Sequence, residues 1–111
     1  VAQRILKLAL ETRDPLDRDR LFREAFDSLF HAARIAAMTY LSTEVARWGI
    51  LKRMLPEPYN KQFREFIDTL HVKYFYNGEY PKDRTEEEFN RWYRKVEEFI
   101  NSLEHETKKK Q

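Results

Sequence analysis

The chain has no cysteine, only two glycines and four prolines, and no uninterrupted apolar run near the roughly 18 residues that would span a bilayer. The lack of cysteine excludes a disulfide framework and any thiolate metal or redox site, and it fits a reducing, cytoplasmic setting. The lack of a spanning run predicts no membrane insertion. Scarce Gly and Pro, the main breakers of regular structure, predict long uninterrupted elements. Neither charge sign dominates: the net charge is +2, so bulk charge does not announce a nucleic-acid binder, although a local patch would suffice for one. The charged start, Val1 to Arg13, does not resemble a secretory signal. It lacks an initiator Met and begins inside a helical pattern, which predicts further residues upstream.

What is present is core material. Apolar residues make up 41% of the 111 positions and aromatics 14%, enough for one real core and one domain over residues 1–111. The pattern along the chain is helical throughout and predicts an all-α, antiparallel bundle of four to five helices. Ala2, Ile5, Leu6 and Ala9 make a stripe over residues 2–12. Asp14-Pro15 opens a second helix, predicted from Pro15 to about Leu41, with Asp14 as cap and Pro15 where no N–H is needed. That helix is apolar on so many sides that it should be central. Its small residues Ala32, Ala33, Ala36 and Ala37 would let a neighbour come close.

Ser42-Thr43 breaks the stripe and is expected to cap a third helix carrying Val45, Trp48, Leu51 and Leu55. Gly49 inside it predicts close packing against another helix, since an interior Gly costs about 1 kcal/mol relative to Ala. Pro56 and Pro58 end it. Residues 59–72 form a fourth helix striped by Phe63, Phe66, Ile67 and Leu70. Residues 73–81, with the turn signal Asn77-Gly78, read as an ordered aromatic loop in preference to a hairpin with very short strands. Thr85-x-x-Glu88 has the capping-box pattern and opens a last helix through Phe89, Trp92, Val96, Phe99 and Leu103. Residues 106–111 read as a frayed, solvated tail.

Several functional classes lack their residues. No pair among His31, His71 and His105 has metal-ligand spacing on one helix face, and no Gly-rich phosphate loop exists. Most carboxylates lie at helix spacing from Lys or Arg and read as solvated faces. Two features rise above this background. One is Phe30-His31-Ala32-Ala33-Arg34, which reads as a small-residue helix contact with His31 and Arg34 at its edge. The other is Arg64-x₆-His71. Seven steps of about 100° return nearly to the same helix face, so the two should lie in line. Arg64 would hold a phosphate and His71 would exchange protons near neutral pH. Against this, Arg64 can pair with Glu65 or Asp68 while His71 merely ends the helix.

Taken in order, Phe30–Arg34, Trp48-Gly49-Ile50-Leu51, Phe63–His71, Tyr76–Tyr80 and the helix from Thr85 resemble a HEPN domain in its small, stand-alone prokaryotic or archaeal form. The resemblance covers nearly the whole chain. It implies an up-and-down bundle that forms a homodimer, with no metal and no cofactor. Many HEPN proteins are metal-independent ribonucleases with an Arg-x₄₋₆-His motif. Others are inactive partners of minimal nucleotidyltransferases in toxin–antitoxin pairs. Arg64 and His71 match the motif at its longest spacing and would be the catalytic residues, paired across the dimer around one cleft. Tyr74, Tyr76 and Tyr80 would stack on the bases of an RNA or nucleotide, or else seal the bundle end. Glu65 stands where active members carry Asn, Asp or His, and its carboxylate would repel a phosphate.

Overall fold

The computed structural model describes residues 1–109. They form an all-α bundle: α1 Ala2–Glu11, α2 Pro15–Leu41, α3 Trp48–Met54, α4 Tyr59–Phe66, a π-helical segment Ile67–Tyr76 continuing α4, and α5 Thr85–Lys109. α2 is central and packs against every other element. Phe26, Phe30, Phe63, Phe89, Leu51, Leu70 and Leu103 are fully buried around it.

The start of α2 follows its sequence. Asp14 accepts from the backbone N–H of Leu16 at 2.9 Å and of Asp17 at 3.2 Å, and Pro15 occupies the first turn. Ser42 ends the helix in the left-handed region, at φ 52°. Of the four small residues, Ala33 and Ala37 have no exposed surface, while Ala32 and Ala36 are half-buried along an open groove.

The third helix differs from its expected form. It begins at Trp48 with Arg47 as cap, so Val45 precedes it and Ser42-Thr43 do not cap it. Thr43 instead accepts from Val45 N–H within the connection. Gly49 packs against nothing: a Cβ built on it finds no atom within 4 Å. The capping box is not formed either. Thr85 lies inside the first turn of α5 and donates to the Pro81 carbonyl at 3.0 Å, while the Glu88 carboxylate is buried elsewhere. At the other end, α5 continues helically through Glu106 to Lys109, where a frayed tail was expected; the rest of that tail lies outside the described residues.

The largest correction concerns residues 67–76. The sequence predicts an α-helix to residue 72 and then a loop, but the helix widens at Ile67 and runs to Tyr76. Its end shows the wide turn directly, with Asn77 N–H donating to Val72 O at 3.0 Å, five residues back. Gly78 then reverses the chain at φ +67°. Arg23 of α2 holds this end, donating from Nε to Phe75 O at 2.7 Å and from Nη2 to Tyr76 O at 2.5 Å. These carbonyls lie in the last turn of the π-helical segment, which a cation favours.

Candidate functional site

Arg64 and His71 are not brought together. A π-helical turn takes more residues than an α-turn, so each residue past Ile67 rotates by less than the α-helical ~100°. Seven steps therefore no longer return to the same face. Arg64 points to solvent and pairs with Asp68 at 3.7 Å, both side chains more than 60% exposed. Glu65, on the outer face, pairs with Lys95 of α5 at 3.0 Å. His71 turns inward, its side chain only 14% exposed, and meets α2.

There it meets Asp27, which sequence reasoning had placed among the solvated carboxylates. Asp27 is buried in the middle of α2. Its Oδ1 lies 2.7 Å from His71 Nδ1, and its Oδ2 lies 2.9 Å from His31 Nε2, one helical turn further along. A carboxylate can only accept, so each imidazole donates to it. This fixes neutral His71 as the Nδ1–H tautomer and leaves its Nε2 as a bare acceptor with no protein partner. His31 is fixed the other way round, and its Nδ1 is buried without a partner. One carboxylate therefore orients two imidazoles in opposite senses. The three side chains meet only through that carboxylate, and no cluster of three His, Asp or Glu among the described residues converges to hold a metal.

Rings fix the His71 plane. It stacks on Phe30 at 4.8 Å and on Phe75 at 5.8 Å between centroids. Two further rings meet it edge-on, Tyr76 at 5.2 Å and Trp48 at 6.1 Å. Both are open to solvent, Tyr76 at 65% and Trp48 at 40%. They are the large exposed aromatics among the described residues, and both lie beside the same histidine. A π-helix of ten residues is itself unusual, since π-turns occur mostly singly and frequently at functional sites.

Of the two readings of the tyrosines, base stacking or sealing the bundle end, Tyr74 and Tyr80 take the packing one. Both are buried. Tyr74 packs edge-on to Phe26 and donates its hydroxyl to Glu88, also buried. Burial and that hydrogen bond push the Tyr74 hydroxyl up to about 12. Burial would also raise Glu88, but hydrogen bonds from Arg91, Tyr74 and Trp92, with the Arg91 charge, hold it down at about 2. Tyr80 donates to Asp19 at 2.5 Å; burial and this bond push its hydroxyl well above the ordinary tyrosine range. Of the three tyrosines, Tyr76 alone presents a ring to solvent.

Beyond His31, the same face of α2 carries Arg34, so that Asp27, His31 and Arg34 follow at i, i+4 and i+7. Arg34 lines an open cleft of about 530 Å³ against α3, together with Arg47, Trp48, Gly49 and Arg53. A larger cavity, about 900 Å³, opens nearer the start of α2, but its lining mixes Arg18, Lys82 and Arg84 with Asp19, Asp83 and Glu86. Its charges offset one another, and it lies away from the oriented histidine. No family model matches the chain, and neither a curated protein nor a solved structure matches it.

Proposed function

We propose that the protein is a HEPN-like nucleotide- or RNA-interacting protein, and that His71 is the proton-transfer group of a metal-independent ribonuclease activity. One observation carries the reading: His71 is held through Nδ1 by buried Asp27, with Nε2 unpartnered, between the exposed rings of Trp48 and Tyr76. Exposed rings beside a proton-transfer group suit unstacked bases. A bare imidazole nitrogen suits a general base.

In this reading His71 Nε2 takes the proton of an RNA 2′-hydroxyl. The 2′-oxygen attacks the adjacent phosphorus, the 5′-oxygen leaves, and the proton passes to it directly or through water. The products are a 2′,3′-cyclic phosphate and a 5′-hydroxyl. Asp27 keeps the tautomer that leaves Nε2 free and stabilises the imidazolium that forms. Arg64, outward and paired to Asp68, has no part in this geometry. The test is incubation of chelator-treated protein with single-stranded RNA beside the His71→Ala variant. Cleavage to cyclic-phosphate ends by the wild type alone supports the reading. Equal cleavage by both, or none by either, rules out the ribonuclease.

A second reading, a non-catalytic module that pairs with a nucleotidyltransferase or with a second copy of itself, is favoured by a different surface. Ala32, Ile35 and Ala36 of α2 and Ile100 and Leu103 of α5 line a mostly apolar groove of about 630 Å³. Ile35 stands 60% exposed beside it. Ile35→Glu should then abolish complex formation with a purified partner or a second copy, read by analytical ultracentrifugation. An unchanged sedimentation profile rejects that use of the groove.

A further inference from the structure

We propose that Arg34, Arg47 and Arg53 hold the phosphate of a nucleotide, free or within an RNA chain, in the cleft between α2 and α3. The proposal deepens the nucleotide reading of His71 and rests on it, but it moves the phosphate-binding role from Arg64 to three arginines that share no sequence motif.

Three observations carry it. First, the charge there is uncompensated. None of the three guanidiniums makes an ion pair or hydrogen bond with another side chain among the described residues, and no Asp or Glu lines the cleft. Arg20, Arg23, Arg64 and Arg91 have carboxylate partners, while Arg4, Arg13, Arg18, Arg84 and Arg94 have none among the described residues; what sets this cleft apart is three unpaired arginines lining one space with no acidic residue among its walls. Three like charges around one cleft repel each other, and a dianion between them would reverse the sign of that term. The planar guanidinium fork matches phosphate oxygens in pairs.

Second, Arg34 Nε and His31 Nδ1 are both buried and both without a partner. One is a donor and the other, in the tautomer that Asp27 imposes, an acceptor. They lie one turn apart on the face of α2 that runs from the cleft to Asp27. A buried polar atom without a partner is costly, and of the two residues Arg34 lines the cleft, so its guanidinium has hydrogen-bonding capacity that no protein group uses.

Third, the cleft is kept open and linked to His71. Gly49 weakens α3 with no packing reason, and its missing side chain faces empty space on the cleft wall. Trp48 belongs to both places, lining the cleft while its ring meets His71 edge-on at 6.1 Å. Trp48 thereby joins the arginine cleft to the surroundings of His71.

The test is equilibrium binding at low and moderate salt of adenosine monophosphate, of 5′-phosphorylated single-stranded RNA and of the same RNA with a 5′-hydroxyl. The proteins are wild type, R34Q, R47Q/R53Q and Gly49→Leu. The expected result is wild-type binding that weakens with salt, and a loss of about tenfold or more in R34Q and R47Q/R53Q. Gly49→Leu, which fills the cleft without touching charge, weakens binding even if an arginine variant misfolds. Binding of the monophosphate assigns a free nucleotide, and binding of the RNAs alone assigns a chain. If the wild type binds and both the arginine and Gly49 variants bind equally well, the arginine site is overturned while the nucleotide reading stands. If the wild type binds none of the three probes, both fall.

Discussion

Asp27 Oδ1 and His71 Nδ1 lie 2.7 Å apart although 44 residues separate them in the chain. The contact joins the centre of the longest helix to the middle of a π-helical segment, and it sets which nitrogen of His71 is free. Asp27→Asn would remove the charge that makes His71 donate. The expected outcome is a rise in the Nε2–H tautomer of His71, read by ¹⁵N NMR, with any RNA cleavage falling. Asp27→Ala would also leave two imidazole donors unpaired and should cost about 2–3 kcal/mol of stability. An unchanged tautomer in Asp27→Asn would mean that the rings alone orient His71.

The buried Glu88 network predicts an acid limit. The folded protein holds Glu88 at about 2, below its ordinary 4.5, because Arg91, Tyr74 and Trp92 bind the carboxylate against the opposing effect of burial. The unfolded state therefore takes up the proton first as pH falls. The stabilisation, on the order of 3 kcal/mol, is complete above about pH 4.5 and lost toward pH 2. Tyr74 works in the opposite sense: its hydroxyl is raised from 10.0 to about 12, so its contribution is complete below pH 10 and lost above it. Denaturant melts across pH 2–6 should show a smaller acid slope in Glu88→Gln than in wild type. Equal slopes would place the acid sensitivity elsewhere.

Much of this bundle was legible in the sequence, because helices with three- and four-residue apolar spacing announce themselves. Asp14-Pro15, the Ala-rich α2 and the stripe of α5 all form as their residues require. The site was legible only in part. His71 was singled out by residue type, although the spacing that paired it with Arg64 does not hold, and Tyr76 by its place in the aromatic stretch. Asp27 was missed, although a lone carboxylate between Phe26 and Leu29 on an apolar helix, one turn before His31, was a usable signal. Arg47 and Arg53 gave none, because only the fold brings them to the same cleft as Arg34. The π-helical turn has no sequence period of its own, so an α-helical count placed Arg64 and His71 on one face. Thr85-x-x-Glu88 misled for a related reason: the same glutamate serves Tyr74 and Trp92, and the buried use won.

Arg64→Ala is expected to do little. Its partner Asp68 is as exposed as it is, and surface ion pairs of this kind contribute about 0.5 kcal/mol or less. The melting temperature and any RNA cleavage should stay near wild type. A large loss of activity with an intact fold would restore Arg64 to the site and contradict the assignment of its role to other arginines.

The two glycines should respond in opposite directions. Gly78→Ala forces a side chain into the left-handed region and sets a Cβ 3.4 Å from the Arg23 guanidinium that clamps the π-helical end. It should cost about 1 kcal/mol or more. Gly49→Ala meets open space and should stabilise α3 by up to about 1 kcal/mol. Denaturant melts of the two variants check both signs. Destabilisation by Gly49→Ala would mean that α3 needs glycine for its backbone.

The most direct test of the central claim is a titration of the protein with single-stranded RNA, followed residue by residue in NMR spectra of the aromatic and imidazole groups. Shifts should concentrate on His71, Trp48 and Tyr76, with buried Tyr74 and Tyr80 little affected. No shift on adding RNA, or shifts centred on the cavity beside Tyr80 and Lys82, would contradict it.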